Sequence, residues 1–431
     1  MILNCLRPVL DPLLRPQQNG FREKRMTIEQ ILALRRIIEG VRNRNLPAIM
    51  TFIDFKKAFD TVHRGKLIHI QRAYSIPDKL VQAISRYEHT RAKVNSPDGE
   101  TETFNIHTGV LQGDTLAPYL FIIVLDHALR KAIAGCEEEL GFTLALRSSR
   151  RVPAVIVTDF DYADDITLIS NTAEQARQHL LAVETECLRV GLQLNSKKTK
   201  VLAFNTNDIV VCTRNGETLK VEEDFRYLSA WISSSLKNLK TRRAIAWKVL
   251  HDMRRMWKSE LSRKIKRKLF VSTVESVLLY GAETWTLTAA QEKSLDGCYT
   301  RMLHMAQDVF WMEHMSNVDL YVDLPLVTSK IRQRRLRLAG HSVRHPDLIA
   351  SKLVLWEPTH GKATRGAKRI TYTDMLRKDT SYASTDELRS GMLDWDVWRG
   401  VISRARVAPV ASTLLSNGLI QDLKQSPFYR V

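Results

Sequence analysis

Two adjacent aspartates, Asp164 and Asp165, are the part of the sequence most suggestive of chemistry. They follow Tyr162 and Ala163 and have strand-like residues on both sides, which predicts a tight hairpin with two carboxylates at its tip. Neighbouring carboxylates repel each other, and Mg²⁺, which prefers oxygen ligands, would relieve that repulsion. The alternative is turn formation alone, because aspartate readily adopts turn conformations.

A third carboxylate, Asp54, ends an apolar run that begins after Pro47 and predicts a buried strand. Its alternative role is to end the strand or to cap a helix. The two segments are far enough apart in sequence to form neighbouring strands of one sheet. Three carboxylates on adjacent strand ends can hold two cations about 3.5–4 Å apart, an arrangement suited to phosphoryl transfer.

Hydrophobic periodicity and turn residues predict the elements that must position these carboxylates. The helix starting at Thr27 has Gln30 at capping-box spacing. The predicted elements are a strand over AIMTFIDF, residues 48–55, helices over 63–74, 77–90, 116–134 and 173–190, and hairpins over 95–104 and 157–170.

Beyond residue 235 the chain becomes basic and helical. Residues 237–268 contain 13 Lys and Arg against two acidic residues. An apolar stripe there predicts helices with a basic outer face, and consists of Ile245, Val249, Met253 and Met256. Residues 330–344 repeat this pattern, so the order of elements predicts an α+β core followed by a helical region.

The overall charge favours a polyanionic partner. The 431 residues include 65 Lys and Arg and 47 Asp and Glu, a formal net charge of +18. This charge indicates attraction to nucleic acid or to an anionic membrane. The apolar run Tyr119–Leu125 ends at Asp126, far short of a membrane span. The five cysteines are odd in number and never spaced as CxxC, which favours an intracellular location, nuclear or cytoplasmic.

Six segments, in order, resemble the motifs of a known enzyme family. TFIDFKKAFDTVHRGKL, GVLQGDTLAPYLFIIVLDHALR and DYADDITLIS are similar to the three central palm motifs of reverse transcriptases, most closely those of non-LTR (LINE-type) retrotransposons. QQNGFR, GLQLNSKKTKV and FRYLSAWI also match, the last resembling the primer grip. The resemblance implies a right-hand polymerase with partial fingers over 1–46, a palm with an antiparallel sheet over 47–205, a primer-grip hairpin over 206–235, a basic helical thumb over 236–345 and a C-terminal helical extension over 346–431.

The resemblance also implies residue roles in adding dNTPs to a DNA primer on an RNA template. Asp54, Asp164 and Asp165 would be the catalytic, metal-binding residues for two Mg²⁺ ions, with Mn²⁺ as a substitute. Phe59 would be the steric gate against a ribose 2′-OH, or else a core aromatic. The remaining roles are nucleotide binding for Arg22, Gln112, Gly113 and Lys198, primer grip for Tyr227 and Leu228, and nucleic-acid binding for Arg242, Arg243 and Lys248.

For the basic residues in this set, the alternative is that they belong to a solvated protein surface and bind neither nucleotide nor nucleic acid.

Two departures from the family pattern keep other functions open. Only 53 residues precede Asp54, so earlier fingers motifs are missing and an N-terminally truncated copy is expected. Ser229 stands where the family usually has glycine. The alternatives are a catalytically impaired, retrotransposon-derived nucleic-acid-binding fragment and an RNA-dependent RNA polymerase, against which Phe59 and the Tyr-Ala-Asp-Asp sequence weigh. A membrane-surface protein is a further alternative, disfavoured by the core-like spacing of Trp and Met in the basic helices.

Overall fold

A mixed sheet with helices on both faces forms the N-terminal half of the chain, and helices alone form the rest. The computed structural model describes residues 2–405 except 98, 208, 323, 367 and 368. The tail of the predicted extension, residues 406–431, therefore lies outside the described residues. The strands are β1 Ala48–Ile53, β2 Arg91–Ala92, β3 Asn95–Ser96, β4 Gly99–Glu100, β5 Phe104–Asn105, β6 Phe142–Ala145, β7 Val155–Val157, β8 Asp159–Tyr162, β9 Asp165–Ser170, β10 Lys200–Phe204, β11 Lys220–Glu222, β12 Arg226–Tyr227 and β13 Ala230–Trp231.

The α-helices alternate with these strands and then continue without them. They are α1 Ile2–Leu10, α2 Thr27–Arg44, α3 Ala58–Thr61, α4 Arg64–Ala73, α5 Asp78–Ser85, α6 Ala117–Ile133, α7 Glu137–Leu140, α8 Ala173–Arg189, α9 Ser235–Asp252, α10 Arg254–Trp257, α11 Arg263–Phe270, α12 Ser276–Leu278, α13 Ala289–Ala306, α14 Asn317–Tyr321, α15 Val327–Arg344, α16 Ile349–Leu353, α17 Tyr372–Thr380, α18 Thr385–Leu393 and α19 Trp395–Ala405. No helix in the described part of the chain is long and apolar enough to cross a bilayer.

The central strand β1 is buried along its whole length. The five-stranded sheet has the order β11-β10-β1-β9-β8, with β1 antiparallel to both β9 and β10. Side chains of a strand alternate between its two faces. Ile49 and Ile53 therefore pack with α6 and α8, while Met50 and Phe52 pack with α2 on the other face. Because helices cover both faces of the sheet at β1, its sequence is continuously apolar rather than alternating between apolar and polar residues.

The C-terminal helices form two further clusters. One centres on Trp257, Phe270 and Tyr299, and the other joins α15, α17, α18 and α19 around Trp398. The second cluster includes Leu32 of α2, so the C-terminal helices pack directly against the sheet-bearing half. Helix α2 thus connects the two halves of the molecule.

Most predicted elements are confirmed, including the helices over 116–134 and 173–190 and the strand predicted over 48–55, which ends at Ile53. The hairpin over 95–104 is also confirmed in the pairing of β3 with β4, although Asp98 in its turn lies outside the described residues.

The cap of α2 was predicted wrongly. Thr27 is the first helical residue and Met26 the N-cap, so Glu29 rather than Gln30 accepts the cap hydrogen bond, with Oε2 3.1 Å from Met26 N. Gln30 instead donates to the Gln17 carbonyl at 2.9 Å.

The predicted apolar stripe of the basic helices is displaced around the helix. Leu239, Ala246 and Leu250 are buried, whereas Met256 is 42% exposed. Val249 and Met253 pack only at the edge of the cluster. The basic residues extend so far around α9 that periodicity alone could not fix which face is buried.

Candidate active site

The structure brings Asp54, Asp164 and Asp165 to the same end of the sheet. β8 and β9 form a hairpin whose last pair is Tyr162 with Asp165, and Ala163 and Asp164 make the turn. Ala163 adopts a left-handed conformation with φ 56°, which a two-residue hairpin turn requires. Ile53 at the end of β1 pairs with Ile166, so the next residue, Asp54, lies beside Asp165. The hairpin and the strand predicted from sequence are therefore neighbours.

Burial and neighbouring negative charge raise the pKa of both carboxylates of the hairpin tip, Asp164 and Asp165. Partial burial, together with repulsion from Asp164 and Asp54, raises the pKa of Asp165 to about 6. The pKa of Asp164 is raised by partial burial and by the charge of Asp54. No Lys or Arg in the described part of the chain offsets either shift. The tip of the hairpin thus concentrates negative charge that the protein itself does not neutralise.

This donor set fits a divalent cation only when other ligands complete the shell. Among the described residues, no group of three or more His, Cys, Asp and Glu side chains encloses a metal position. Mg²⁺ is usually held by one or two protein carboxylates together with water and substrate phosphates. The uncompensated charge at Asp164 and Asp165 suits such an open site.

A loop after α8 holds Asp54 in place. Asn195 Nδ2 donates to Asp54 Oδ2 at 3.0 Å, and the Asn195 backbone N–H donates to the Asp54 carbonyl at 2.7 Å. Asp54 N donates to Thr199 Oγ1 at 3.2 Å, and the exposed Lys198 places Nζ 3.8 Å from Asp54 Oδ2. Asn195 was not singled out from the sequence, and its only signal was its place inside the segment GLQLNSKKTKV.

The N-terminal segment packs against the aspartate turn. Gln18 Oε1 accepts from Ala163 N at 2.9 Å, and Gln18 Nε2 donates to the Ala163 carbonyl at 3.3 Å. Asn19 N donates to the Asp161 carbonyl at 2.9 Å, so this segment runs along β8. A Cβ on Gly20 would lie 2.2 Å from Ala163 N, which only glycine avoids. Sequence reasoning missed Gln18 and Gly20, although both lie in the segment QQNGFR.

Arg22 is not on the surface, contrary to the solvated alternative. Its guanidinium is buried and donates to Asp11 Oδ1 at 3.0 Å. It also donates to the carbonyls of Arg15 at 2.8 Å and Gln18 at 3.0 Å. The side chain therefore organises the N-terminal segment that contacts the turn, and these bonds occupy the groups predicted to contact a triphosphate.

Three of the residues predicted to surround an incoming nucleotide lie in α3 or in the loop that contacts it. Phe59 is half-buried in α3 and stacks on Phe121, with ring centroids 4.6 Å apart. Gln112 is exposed and its Nε2 donates to Asp60 Oδ1 at 3.2 Å. Gly113 is exposed with φ 95°. Phe59 therefore has a core contact on one face and remains partly accessible, which leaves both of its predicted roles open.

A two-residue hairpin carries Tyr227 and Leu228. β12 and β13 pair through Tyr227 and Ala230, and Leu228 and Ser229 both have positive φ, at 45° and 63°. Tyr227 is buried, and the neighbouring Phe225 stacks on Phe52 of β1 with centroids 4.2 Å apart. This stacking fixes the hairpin against the strand that carries Asp54.

The three basic residues predicted to bind nucleic acid differ in exposure. Arg242 is buried, stacks over the Tyr280 ring at 4.3 Å and donates to the Ser229 carbonyl, so it does not lie on the exposed basic face. Arg243 is half-buried and donates to Ser294 Oγ at 3.3 Å. Lys248 is exposed. Arg242 thus holds the hairpin turn, whereas Lys248 is free to meet a ligand.

A second, buried group of carboxylates lies beneath the same hairpin. Arg15 Nη2 is 2.6 Å from both Asp159 Oδ2 and Asp161 Oδ2, and its Nε is 3.6 Å from Asp126 Oδ1. Tyr74 donates its hydroxyl to Asp126. Burial tends to raise the pKa of Asp159, but Arg15 outweighs it and lowers the value, whereas burial and the charge of Asp159 raise the pKa of Asp161.

Comparison with known families gives a match over the region that builds this site. The family model described as "Reverse transcriptase (RNA-dependent DNA polymerase)" matches residues 1–232, more than half of the chain. These residues include all three aspartates and the segments that contact them.

Individual relatives come from transposable elements. A transposon-derived protein of Caenorhabditis elegans is 28% identical over 251 residues, covering 55% of this chain and 90% of its own length. A protein of Drosophila melanogaster named as an RNA-directed DNA polymerase from transposon BS is 23% identical over 85% of this chain. The Pol polyprotein of the R2 retrotransposable element of Nasonia vitripennis is 27% identical over 44% of this chain. The chain spans 41% of the length of the Drosophila protein and 18% of that of Nasonia.

Among solved structures, the chain is similar to a telomerase from Candida albicans, solved with a fragment of telomeric RNA. The two are 12% identical with a TM-score of 0.42, covering 73% of this chain and 55% of the telomerase chain. Such a distant likeness adds nothing to the family match.

Proposed function

This chain belongs to the reverse transcriptase (RNA-dependent DNA polymerase) family, and from that we propose that it adds dNTPs to the 3′-OH of a DNA primer on an RNA template. Its relatives belong to non-LTR retrotransposons, so the proposed enzyme is the polymerase of such an element. The observation that carries the proposal is the meeting of Asp54, Asp164 and Asp165 at one end of the sheet, where no basic side chain of the described residues offsets the raised pKa values of Asp164 and Asp165.

We assign the regions of a right-hand polymerase in keeping with this function. Residues 1–46 would be partial fingers, 47–205 the palm, 206–235 the primer-grip hairpin, 236–345 the thumb and 346–431 a C-terminal extension. Support comes from the sheet that carries the aspartates, from the hairpin packed on β1 through Phe225 and Phe52, and from the helical cluster after residue 235.

Asp54, Asp164 and Asp165 would hold two Mg²⁺ ions together with the nucleotide. Bound there, the ions would lower the pKa of the primer hydroxyl and balance the charge that develops on the leaving pyrophosphate. Asn195 keeps Asp54 oriented by its hydrogen bond, and Gln18 keeps the turn that carries Asp164 in one conformation. Lys198, close to Asp54 and exposed, is suited to donate a proton to the leaving group.

Primer extension on an RNA template tests this function directly. We expect Mg²⁺-dependent extension by the wild-type chain and a loss of at least roughly 100-fold in Asp165→Asn, because removing one charge from a site preorganised for phosphoryl transfer costs that much or more. Asp78→Asn, which changes an exposed aspartate of α5, is the matched control and should retain activity. Equal activity in wild type and Asp165→Asn would refute the proposal.

A folded wild-type chain without extension activity would instead favour the second candidate, a nucleic-acid-binding protein without catalysis. The net charge of +18 supports that candidate independently of the aspartates. Nucleic-acid binding that survives in Asp165→Asn and weakens steeply with salt would be its signature.

Sugar selectivity tests the role proposed for Phe59. Phe59→Val removes the ring that would overlap a ribose 2′-OH, so the ratio of kcat/KM for rNTPs to that for dNTPs should rise by roughly 10-fold or more, as expected when a steric clash is relieved. If Phe59 served only the core through Phe121, both activities would fall together and the ratio would stay constant. Phe121→Leu, which removes the stacking partner, is the control for that outcome.

A further inference from the structure

A groove of about 630 Å³ lies between α15, α19 and the start of α2, outside the elements that carry the three aspartates. Its apolar lining consists of Met26, Ile28, Leu338 and Ile402, together with the ring of Trp395. The volume is within the range of about 300–1,000 Å³ typical of ligand sites. The groove is thus large enough for an organic ligand and is lined by none of the residues proposed to hold the metal ions or the nucleotide.

The walls of this groove are strongly basic. They carry Arg334, Arg337, Arg344 and Arg399 and a single carboxylate, that of Glu283. Arg334 lies 3.8 Å from Glu283, whose pKa is raised by burial. Arg337 and Arg399 are exposed, and within the described ranges neither has a carboxylate partner. These two arginines can therefore bind an anionic ligand without first breaking an ion pair within the protein.

An exposed tryptophan stands at the edge of these arginines. Trp395 is 52% exposed, and the Arg344 guanidinium lies over its ring, 4.6 Å from the centroid. Arg344 is held in this position by a hydrogen bond of 2.7 Å to the Met392 carbonyl. Arg344 covers one face of an indole ring that is otherwise half exposed, so the site combines an aromatic stacking surface with fixed positive charge, the combination by which single-stranded nucleic acids are bound.

We propose that this groove binds single-stranded nucleic acid, with a base stacked on Trp395 and phosphates contacted by Arg337 and Arg399. An acidic peptide would match the charge but would leave the exposed indole without a stacking partner. The site would hold a strand apart from the proposed polymerase cleft, and its existence does not depend on catalysis. Failure of primer extension would therefore leave this proposal standing. Failure of the groove to bind a single strand would likewise leave the proposed polymerase function standing.

The test is fluorescence anisotropy with a labelled 12-nucleotide oligouridylate and the full chain, in the presence of a saturating unlabelled RNA–DNA duplex that occupies the polymerase cleft. Trp395→Ala should weaken binding by roughly 5- to 100-fold, the range for loss of one stacked base. Trp395→Phe should recover most of that loss because it restores a stacking face. Each variant is first shown to be folded by its circular dichroism melt.

The arginines are tested by salt dependence. The double variant Arg337→Ala, Arg399→Ala should lower the slope of log K against log salt concentration by about 1.4, since each single-strand phosphate contact contributes about 0.7. The double variant Arg150→Ala, Arg151→Ala removes the same charge from the exposed loop between β6 and β7 and should leave affinity and slope close to wild type. Equal effects of the two double variants would overturn the proposal.

Two further outcomes would also overturn it. Unchanged affinity in Trp395→Ala would show that no base stacks there. Displacement of the oligouridylate by polyglutamate with equal effect in wild type and Trp395→Ala would indicate a general anion surface that also accepts acidic peptide. Primer extension on a short template should be unaffected in Trp395→Ala, because Trp395 lies in the proposed C-terminal extension and contacts none of the three aspartates.

Discussion

The hairpin of β8 and β9 carries two pairs of aspartates whose environments are opposite. Asp159 and Asp161 point into the protein, are fully buried, and share Arg15 Nη2 at 2.6 Å. Asp164 and Asp165, a few residues further on, are only partly buried at the tip and have no basic partner among the described residues. The two pairs are almost adjacent in sequence and differ chiefly in what neutralises them.

The difference shows how a carboxylate that stabilises the fold can be distinguished from one that does not. A buried charge must be paired or protonated, and here Arg15 pairs with Asp159 while the pKa of Asp161 is raised. At the tip the protein leaves the repulsion in place, which lowers stability and gives a cation a favourable site. Uncompensated charge at an exposed turn is therefore the stronger sign of function.

The largest stability effect is expected when the buried pair loses its cation. Arg15→Met should reduce the free energy of unfolding by about 3–5 kcal/mol, because removing one partner leaves buried charge uncompensated. Urea denaturation measures this change. Arg177→Met, which breaks an exposed pair with Glu174, is the matched control and should change the free energy of unfolding far less, because exposed ion pairs contribute little to stability. If Arg15→Met loses no more stability than the control, Arg15 does not stabilise the buried pair, and the proposed difference between the two pairs of aspartates is wrong.

The two buried aspartates should themselves differ. Asp159→Asn removes the charge that pairs with Arg15 and should cost about 1.5–3 kcal/mol, the range for a charge-assisted hydrogen bond. Asp161→Asn should cost less, because burial and the charge of Asp159 raise the pKa of Asp161 and so disfavour its ionised form. The comparison is made by urea denaturation at pH 7. A greater loss in Asp161→Asn would show that the charge resides on Asp161 instead.

At the tip, removing a charge should stabilise the chain. The pKa of Asp165 is about 6 in the folded state, above the value of about 3.9 in an unfolded chain. Stability from this group is therefore greatest at low pH and is lost as pH rises toward 6. In EDTA, Asp165→Asn should raise the free energy of unfolding by about 1 kcal/mol or less after solvent screening.

That gain should be larger at pH 7.5 than at pH 5.0, because wild-type Asp165 is mostly protonated at pH 5.0 and ionised at pH 7.5. Thermal melts of both proteins at the two pH values provide the measurement, with Asp78→Asn as the control for loss of an exposed charge. Destabilisation by Asp165→Asn at pH 7.5 would mean that the negative charge of Asp165 is neutralised by the protein, as the charge of the buried pair is.

The smallest effect on stability is expected from backbone strain in the turn between β12 and β13. Ser229 has φ 63° in the turn between β12 and β13, where glycine is the favoured residue. Ser229→Gly should raise the free energy of unfolding by about 0.5 kcal/mol, the net of relieved strain and added chain entropy. Ser234→Gly removes an N-cap from α9 and, as the contrasting change, should be neutral or slightly destabilising. Any loss of stability in Ser229→Gly would show that the turn is not strained.

Local patterns were sufficient for the elements that carry the proposed site. The apolar run of β1 and the turn residues around Asp164 predicted a strand and a hairpin because these signals are local in sequence. Periodicity failed in the basic helices, where Met256 proved exposed and Leu250 buried, because charge extends around much of the helix surface.

The sequence by itself determined the identity of the three aspartates, the hairpin at Asp164 and the ordered segments that define the family. Only the tertiary structure decided that Arg15 neutralises Asp159, that Asn195 orients Asp54 and that Gln18 and Gly20 pack on the aspartate turn. These contacts join residues more than a hundred positions apart, and nothing in the local sequence specifies such a partner. Local order follows from spacing, whereas the compensation of charge depends on which chain segments the packed core brings together.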